Sequence, residues 1–271
     1  MFRSIVKAKL AADEPVLLLG IHLYDPAVWE MVGLMGFDCI WVDLEHHAHS
    51  VERVQNLIRA ARIGAGVDTM SRCALGEFMR IGRLLEIGSQ GILYPRCASP
   101  DEARQVVQAA KFHPLGIRGF DGGNRDMPFC DMPIDEYVKM ANDETFIFVQ
   151  LEEPSAVDQA YEIASVEGVD GVFFGPADFT VLSGVAGQFD HPSVEAAVHH
   201  IADAAGKAGK AWGMPTPSPQ RAQQLIDMGA RIIATGADII YVKNGLEKVQ
   251  DDYERLGFRF RNQMPSAAKR G

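Results

Sequence analysis

Short apolar runs rich in β-branched residues alternate with longer stretches whose apolar residues recur at helical spacing, and the alternation continues along almost the whole chain. Residues 16–21 read as a strand and 26–35 as a helix, and 39–42 with 51–63 repeat the pair. The pattern recurs at 68–71 with 77–87 and at 92–94 with 100–111. After an interruption, strands are predicted at 146–151, 171–174, 211–214 and 232–235, followed by helices at 155–163, 193–208, 219–228 and 238–256. The strands are apolar on both faces, as parallel strands covered by helices must be. Glycine closes helices at Gly36, Gly88 and Gly229, the left-handed stop of a helix-to-strand connection. About eight such units in 271 residues predict a single closed (β/α)8 TIM barrel over residues 1–258, with a polar tail at 259–271. No GxGxxG follows the first strand, so a dinucleotide-binding sheet is not indicated.

Composition narrows the function classes. A net charge of −10 and a pI near 5.3 argue against nucleic acid, whose phosphates require a basic surface. No apolar run approaches the roughly 18 residues of a spanning helix, and the N-terminus lacks an apolar signal core, so a cytoplasmic enzyme is expected. Cys39, Cys73, Cys97 and Cys130 show no CxxC spacing and favour neither a zinc site nor a disulfide framework.

In a barrel of this kind the chemistry is carried by the residues just past the C-terminal end of each strand. Those positions are His22, then Asp43-Leu-Glu-His-His47, Arg72, Tyr94-Pro-Arg96, Gln150 with Glu152, Gly175-Pro-Ala-Asp178, and Thr216. Glu152 and Asp178 follow successive strands, so they would converge on one rim, and paired carboxylates suit a hard divalent cation. Taken singly each residue has a plainer reading. Asp178 could cap a helix, Glu152 could be a helix-entry acid, Arg72 could serve a structural ion pair, and His46 and His47 could be solvated.

Together, Asp43-x-Glu-His46, Arg72, Gln150-x-Glu152 and Gly175-Pro-Ala-Asp178 resemble the HpcH/HpaI family of metal-dependent pyruvate aldolases, and the likeness runs from about residue 18 to about residue 256. The resemblance implies that Glu152 and Asp178 bind Mg²⁺, Mn²⁺ or Co²⁺ and that Arg72 contacts the keto or enolate oxygen of pyruvate. It further implies that amides around Ala177 and Asp178 hold the pyruvate carboxylate, that His46 paired with Asp43 transfers protons, and that Gln150 lines the site. It also implies a hexamer, a trimer of dimers, with the last helix packed on a neighbouring subunit; the apolar residues of 239–256 could instead cover their own barrel. The chain departs from the family pattern at His22, Leu44 and His47 and in the segment Phe120-Asp-Gly-Gly-Asn-Arg-Asp126.

The expected reaction is reversible cleavage of a 4-hydroxy-2-oxo acid to pyruvate and an aldehyde through an enolate. No lysine lies on a predicted strand, which disfavours a Schiff-base route. Two rivals remain: a lyase of related fold acting on acyl-CoA thioesters, and a non-catalytic binding barrel. The glycine-rich loop 113–133, with Arg118 and Arg125, is expected to help His47 shape the aldehyde pocket, or else Arg118 pins the loop.

Overall fold

Several helices start where the sequence supplies a side-chain cap. Ser50, Ser99 and Ser218 accept the amide three residues on, Asp25 accepts Ala27, and proline follows at Pro26, Pro100 and Pro219, where its missing N–H is harmless. Gly36, Gly88 and Gly229 end their helices with φ of 77°, 114° and 94°, as expected from the sequence. The computed structural model describes residues 3–63 and 66–261. Its first half runs α1 (Ile5–Ala11), β1 (Val16–Ile21), α2 (Pro26–Leu34), β2 (Cys39–Asp43), α3 (Val51–Ala61), β3 (Asp68–Arg72), α4 (Phe78–Glu86), β4 (Gly91–Tyr94). Next come α5 (Pro100–Ala110), α6 (Ile134–Glu144), β5 (Phe146–Leu151), α7 (Pro154–Asp158), α8 (Ala160–Ala164) and β6 (Gly171–Phe174). The chain continues through α9 (Pro176–Leu182), α10 (Pro192–Ala208), β7 (Ala211–Thr216), α11 (Pro219–Asp227), β8 (Ile232–Ala237) and α12 (Asp238–Glu254).

The strands pair in parallel in chain order, and β8 closes on β1 to complete an eight-stranded barrel. Side chains alternate between the interior and the helix layer. Cys39, Met70, Leu93, Phe146, Phe148 and Phe173 fill the interior, whereas Ile40, Val42, Ile92, Ile147 and Val149 pack outward against helices. Phe146, Phe148 and Phe173 are fully buried, each contributing about 2–3 kcal/mol of transfer free energy. Gly91 makes room for this: a Cβ there would stand 2.0 Å from the Phe146 ring. The inward rows change character along the strands. β2 reads Cys39, Trp41, Asp43, and β5 reads Phe146, Phe148, Gln150, so the apolar filling gives way to polar groups at the C-terminal rim.

The opposite end is closed by α1, which the sequence pattern did not predict. Val6 is buried in the barrel interior. Its amide and the Ser4 hydroxyl donate to Asp68 Oδ2 at 2.9 and 2.6 Å, while Lys7 pairs with Asp170 and Lys9 with Asp38. The helix α6 was also missed, although Ile134, Tyr137, Val138 and Ala141 have helical spacing, and Tyr137 and Ala141 are buried. The helix expected over 155–163 is two short ones, α7 and α8, joined through Gln159. Arg118 does not face the rim. Its side chain is buried, pairs with Asp126 at 3.0 Å and lies 4.8 Å over the Phe112 ring, so it pins the loop and does not shape a pocket. Within the chain α12 does not cover its own barrel: it buries only Asp238 and exposes Ile239, Ile240, Val242, Leu246, Val249 and Tyr253. Of the tail, residues 259–261 are described and the rest of it lies outside the described residues. No described helix is long and apolar enough to cross a membrane.

Burial pushes the Asp68 carboxyl up to about 6, and its hydrogen bonds only partly offset that. A carboxyl raised in the folded state stabilises it most at low pH, and that stability is lost as pH rises through the folded value. Asp68→Asn should therefore gain on the wild type between pH 4 and 7, by up to about 3 kcal/mol. Thermal melts of the two proteins across that range measure it, and a constant difference would show that Asp68 titrates normally.

Candidate active site

Asp43 and Arg72 are register partners on β2 and β3. Arg72 Nε and Nη2 donate to the two oxygens of Asp43 at 2.9 and 2.7 Å, a bidentate pair at the rim. Burial alone would raise the Asp43 carboxyl, but the guanidinium outweighs it and holds the group well below the usual carboxylate range. Arg72 also pairs with Glu45 at 3.3 Å and rests 5.0 Å over the Trp41 ring. Its third edge, Nη1, donates to Gln150 Oε1 at 3.3 Å, and Gln150 Nε2 donates to Glu152 Oε1 at 3.0 Å. A continuous chain of hydrogen bonds thus links the rims of β2, β3 and β5.

Glu152 is 2% exposed, with its second oxygen accepting the Arg96 amide at 2.8 Å. Arg96 has φ of 44°, a left-handed conformation unusual for a side-chain-bearing residue, and this strain sits at the backbone group that aims at Glu152. Gly175 lies against the same carboxylate, since a Cβ there would be 2.2 Å from Glu152 Oε1. Burial pushes the Glu152 carboxyl up to about 7, with the negative charge of Asp178 adding to the rise. Asp178 occupies the first turn of α9 but does not cap it: the cap position is Gly175, and the Asp178 carboxylate accepts no hydrogen bond from a described residue. The plainer reading of Glu152 as a helix-entry acid also fails, because Glu153 precedes α7.

One pairing expected from the sequence is corrected. The side chain bound to Asp43 belongs to His47, whose Nδ1 lies 3.0 Å from Oδ2, whereas His46 contributes only a backbone amide at 3.4 Å. The His46 ring lies outward, 3.6 Å from Glu45 and 58% exposed. The turn through Leu44 and Glu45 decides which of two adjacent histidines swings inward, and spacing alone does not encode it. Glu45 and Arg96 were placed at the rim from the sequence, but neither the Glu45 ion pair with Arg72 nor the Arg96 amide's bond to Glu152 was foreseen. Thr216 lies apart from the hydrogen-bonded chain, with its hydroxyl on Ala234 O. Lys111 is the one buried lysine among the described residues. It donates to the carbonyls of Asn142 and Thr145, away from the rim.

Residues 18–244 match the HpcH/HpaI aldolase/citrate lyase family. The chain belongs to that family. It is 32% identical over 255 residues to the 5-keto-4-deoxy-D-glucarate aldolase of Klebsiella pneumoniae, covering 94% of this chain and 98% of that one. It is 34% identical to the hydroxypyruvate/pyruvate aldolase of Delftia acidovorans over 86% of each chain. The crystal structure of an HpcH/HpaI aldolase from Desulfitobacterium hafniense superposes with a TM-score of 0.87 at 30% identity, over 95% of this chain and 98% of that one.

The donor set fits the hard cation that such a family implies. Both side chains offer oxygen only, and the raised Glu152 carboxyl marks a site short of positive charge. No group of three or more His, Cys, Asp or Glu among the described residues is arranged to hold an ion, so Glu152 and Asp178 would supply two ligands and leave the remaining positions open. Gly175→Ala should displace the Glu152 carboxylate and weaken Mn²⁺ binding, by roughly 10–100-fold on the scale of a lost supporting contact. Calorimetric Mn²⁺ titration with circular dichroism as the folding control reads this; unchanged affinity would remove Glu152 from the site.

Proposed function

We propose that the chain is a class II pyruvate aldolase that reversibly cleaves a 4-hydroxy-2-oxo acid into pyruvate and an aldehyde through the pyruvate enolate. The observation that supports it most is the meeting, on one rim, of a guanidinium locked by Asp43 with the buried Glu152 and the neighbouring Asp178. A divalent cation held by Glu152 and Asp178, whether Mg²⁺, Mn²⁺ or Co²⁺, would supply Lewis-acid stabilisation of charge on the 2-oxo oxygen. Arg72 has five N–H donors, of which three are engaged by Asp43 and Gln150. The others serve the oxygen on which enolate charge develops. Such a fixed donor in a dry site is worth about 3–4 kcal/mol. Amides at Ala177 and Asp178 receive the pyruvate carboxylate, and Gln150 keeps Arg72 and Glu152 aligned. Proton transfer falls to the histidine pair that follows Asp43. Both named relatives are aldolases, which favours an aldehyde product over a CoA thioester.

The same reading carries an assembly. α12 exposes Leu246 at 62%, Val249 at 50% and Tyr253 at 48%, a stripe at helical spacing that the described residues leave largely open. A second copy covers it in a homo-oligomer, a hexamer built as a trimer of dimers. Light scattering at micromolar concentration should give a mass several times 29.7 kDa, and Leu246→Asp with Val249→Asp should reduce it. A wild-type monomer would refute the assembly.

Deuterium exchange into the pyruvate methyl group tests the chemistry directly. Exchange should require a divalent cation and should be lost in Glu152→Ala and in Asp178→Ala. Full exchange with unchanged metal affinity in either variant, or turnover of malyl-CoA alone, would overturn the assignment.

A further inference from the structure

Two successive amides tie the turn after β4 to β5. Arg96 N donates to Glu152 Oε2 at 2.8 Å, and Cys97 N donates to the Gln150 carbonyl at 2.9 Å. Gln150 Nε2 holds the other Glu152 oxygen, so this turn decides where one half of the carboxylate stands. Arg96 does so at φ 44°, a conformation that costs energy for a residue with a side chain and persists only where its surroundings impose it. Its own ion pair with Glu153 is partly open to solvent and holds little. The firmer grip comes from Glu102. Ser99 caps α5 and accepts the Glu102 amide at 3.2 Å, and a glutamate at the third helical position ordinarily reaches back to the amide of the cap residue. Glu102 instead reaches past it. Its Oε2 accepts the Ala98 amide at 2.8 Å and its Oε1 accepts the Tyr94 hydroxyl at 2.6 Å, which holds the turn on both sides of Arg96. Tyr94 is itself fixed: it is fully buried, stacks on Phe78 with ring centroids 5.3 Å apart, and accepts the Gly76 amide at 3.2 Å. Burial, and the carboxylate beside it, push the Tyr94 hydroxyl well above its usual value, so it stays a donor.

We propose that Glu102 is a positioning residue for Glu152, holding the Arg96 turn in the left-handed conformation that aims its N–H at the carboxylate. The role rests on the reading of Glu152 as a cation ligand. The Glu102 side chain bonds only Tyr94 and Ala98 among the described residues, so its effect on Glu152 travels through the turn. Without it, the Ala98 amide and the Tyr94 hydroxyl both lose their acceptor. The turn then relaxes toward the right-handed or extended backbone that arginine prefers. The Arg96 N–H swings off Oε2, and the carboxylate keeps only Gln150 as a donor among the described residues. A ligand oxygen that must first be re-ordered binds more weakly, as when other outer supports of ligating groups are removed.

Calorimetric Mn²⁺ affinity, with thermal melts alongside, tests this without any turnover. Glu102→Ala should weaken Mn²⁺ binding about tenfold, the lower end of the range for a support behind a ligand. Glu102→Gln can still accept from Ala98 and donate to Tyr94, and should stay within about threefold of wild type. If Glu102→Gln loses as much as Glu102→Ala, charge and not position is at work, and the positioning role falls. Ser99→Ala removes the cap of α5 and leaves the grip on Ala98 and Tyr94, so it should lower the melting temperature with Mn²⁺ affinity unchanged. Equal weakening in Ser99→Ala and Glu102→Ala, for a comparable drop in melting temperature, would assign the effect to the helix and overturn the role. If Glu102→Ala does not fold, Tyr94→Phe, which keeps its ring on Phe78, decides: weaker Mn²⁺ binding supports the grip and unchanged binding overturns it. If Glu152→Ala loses Mn²⁺ while Glu102→Ala binds it as the wild type does, Glu102 does not position the ligand although the reading of Glu152 stands. If the wild type binds no Mn²⁺, or Glu152→Ala binds it as tightly, that reading falls and the positioning role with it.

Discussion

Asp43 and Arg72 face each other in register on adjacent strands, and most of the rim is arranged around that one pair. The guanidinium keeps a buried carboxylate ionised, and the carboxylate fixes the plane of the guanidinium. Each then has an edge to spare. Asp43 orients His47, and Arg72 reaches Gln150 and through it Glu152. Buried ion pairs are poor sources of net stability, because desolvation consumes most of the attraction. What this one provides is direction: it sets the angles of three other side chains, His47, Gln150 and Glu152.

Glu152 is the counterweight. It sits in the same hydrogen-bonded chain, yet burial and Asp178 leave its charge poorly compensated. A barrel built for stability alone would place an apolar residue there. Retaining a strained amide at Arg96 and a bare Gly175 around such a carboxylate is the kind of local cost that proteins accept where they bind something.

Most strands were readable because they are apolar on both faces and bounded by Gly, Pro or polar residues, β3 being the polar exception; Val16–Ile21, Phe146–Leu151 and Gly171–Phe174 match the expectation to the residue. The rim followed from them, since a parallel barrel places every strand end on one side. Two kinds of information stayed hidden. One is distant: α1 is a short charged helix whose partner, Asp68, lies more than sixty residues along the chain. The other is conformational. Whether His46 or His47 turns toward Asp43 depends on loop dihedrals, and the Arg96 amide is a backbone group with no signature of its own.

The alternation of inward and outward positions has a consequence for assembly of the barrel. In β3 the inward residues are Asp68, Met70 and Arg72, and Thr69 and Ser71 lie between them. If β3 slipped by one residue against β2, Arg72 would enter the helix layer, and Asp43 would lose its counter-ion inside a nearly dry cavity. Misregistered intermediates are thus penalised by charge as well as by volume. The groups positioned for chemistry also proofread the alignment of the strands that carry them.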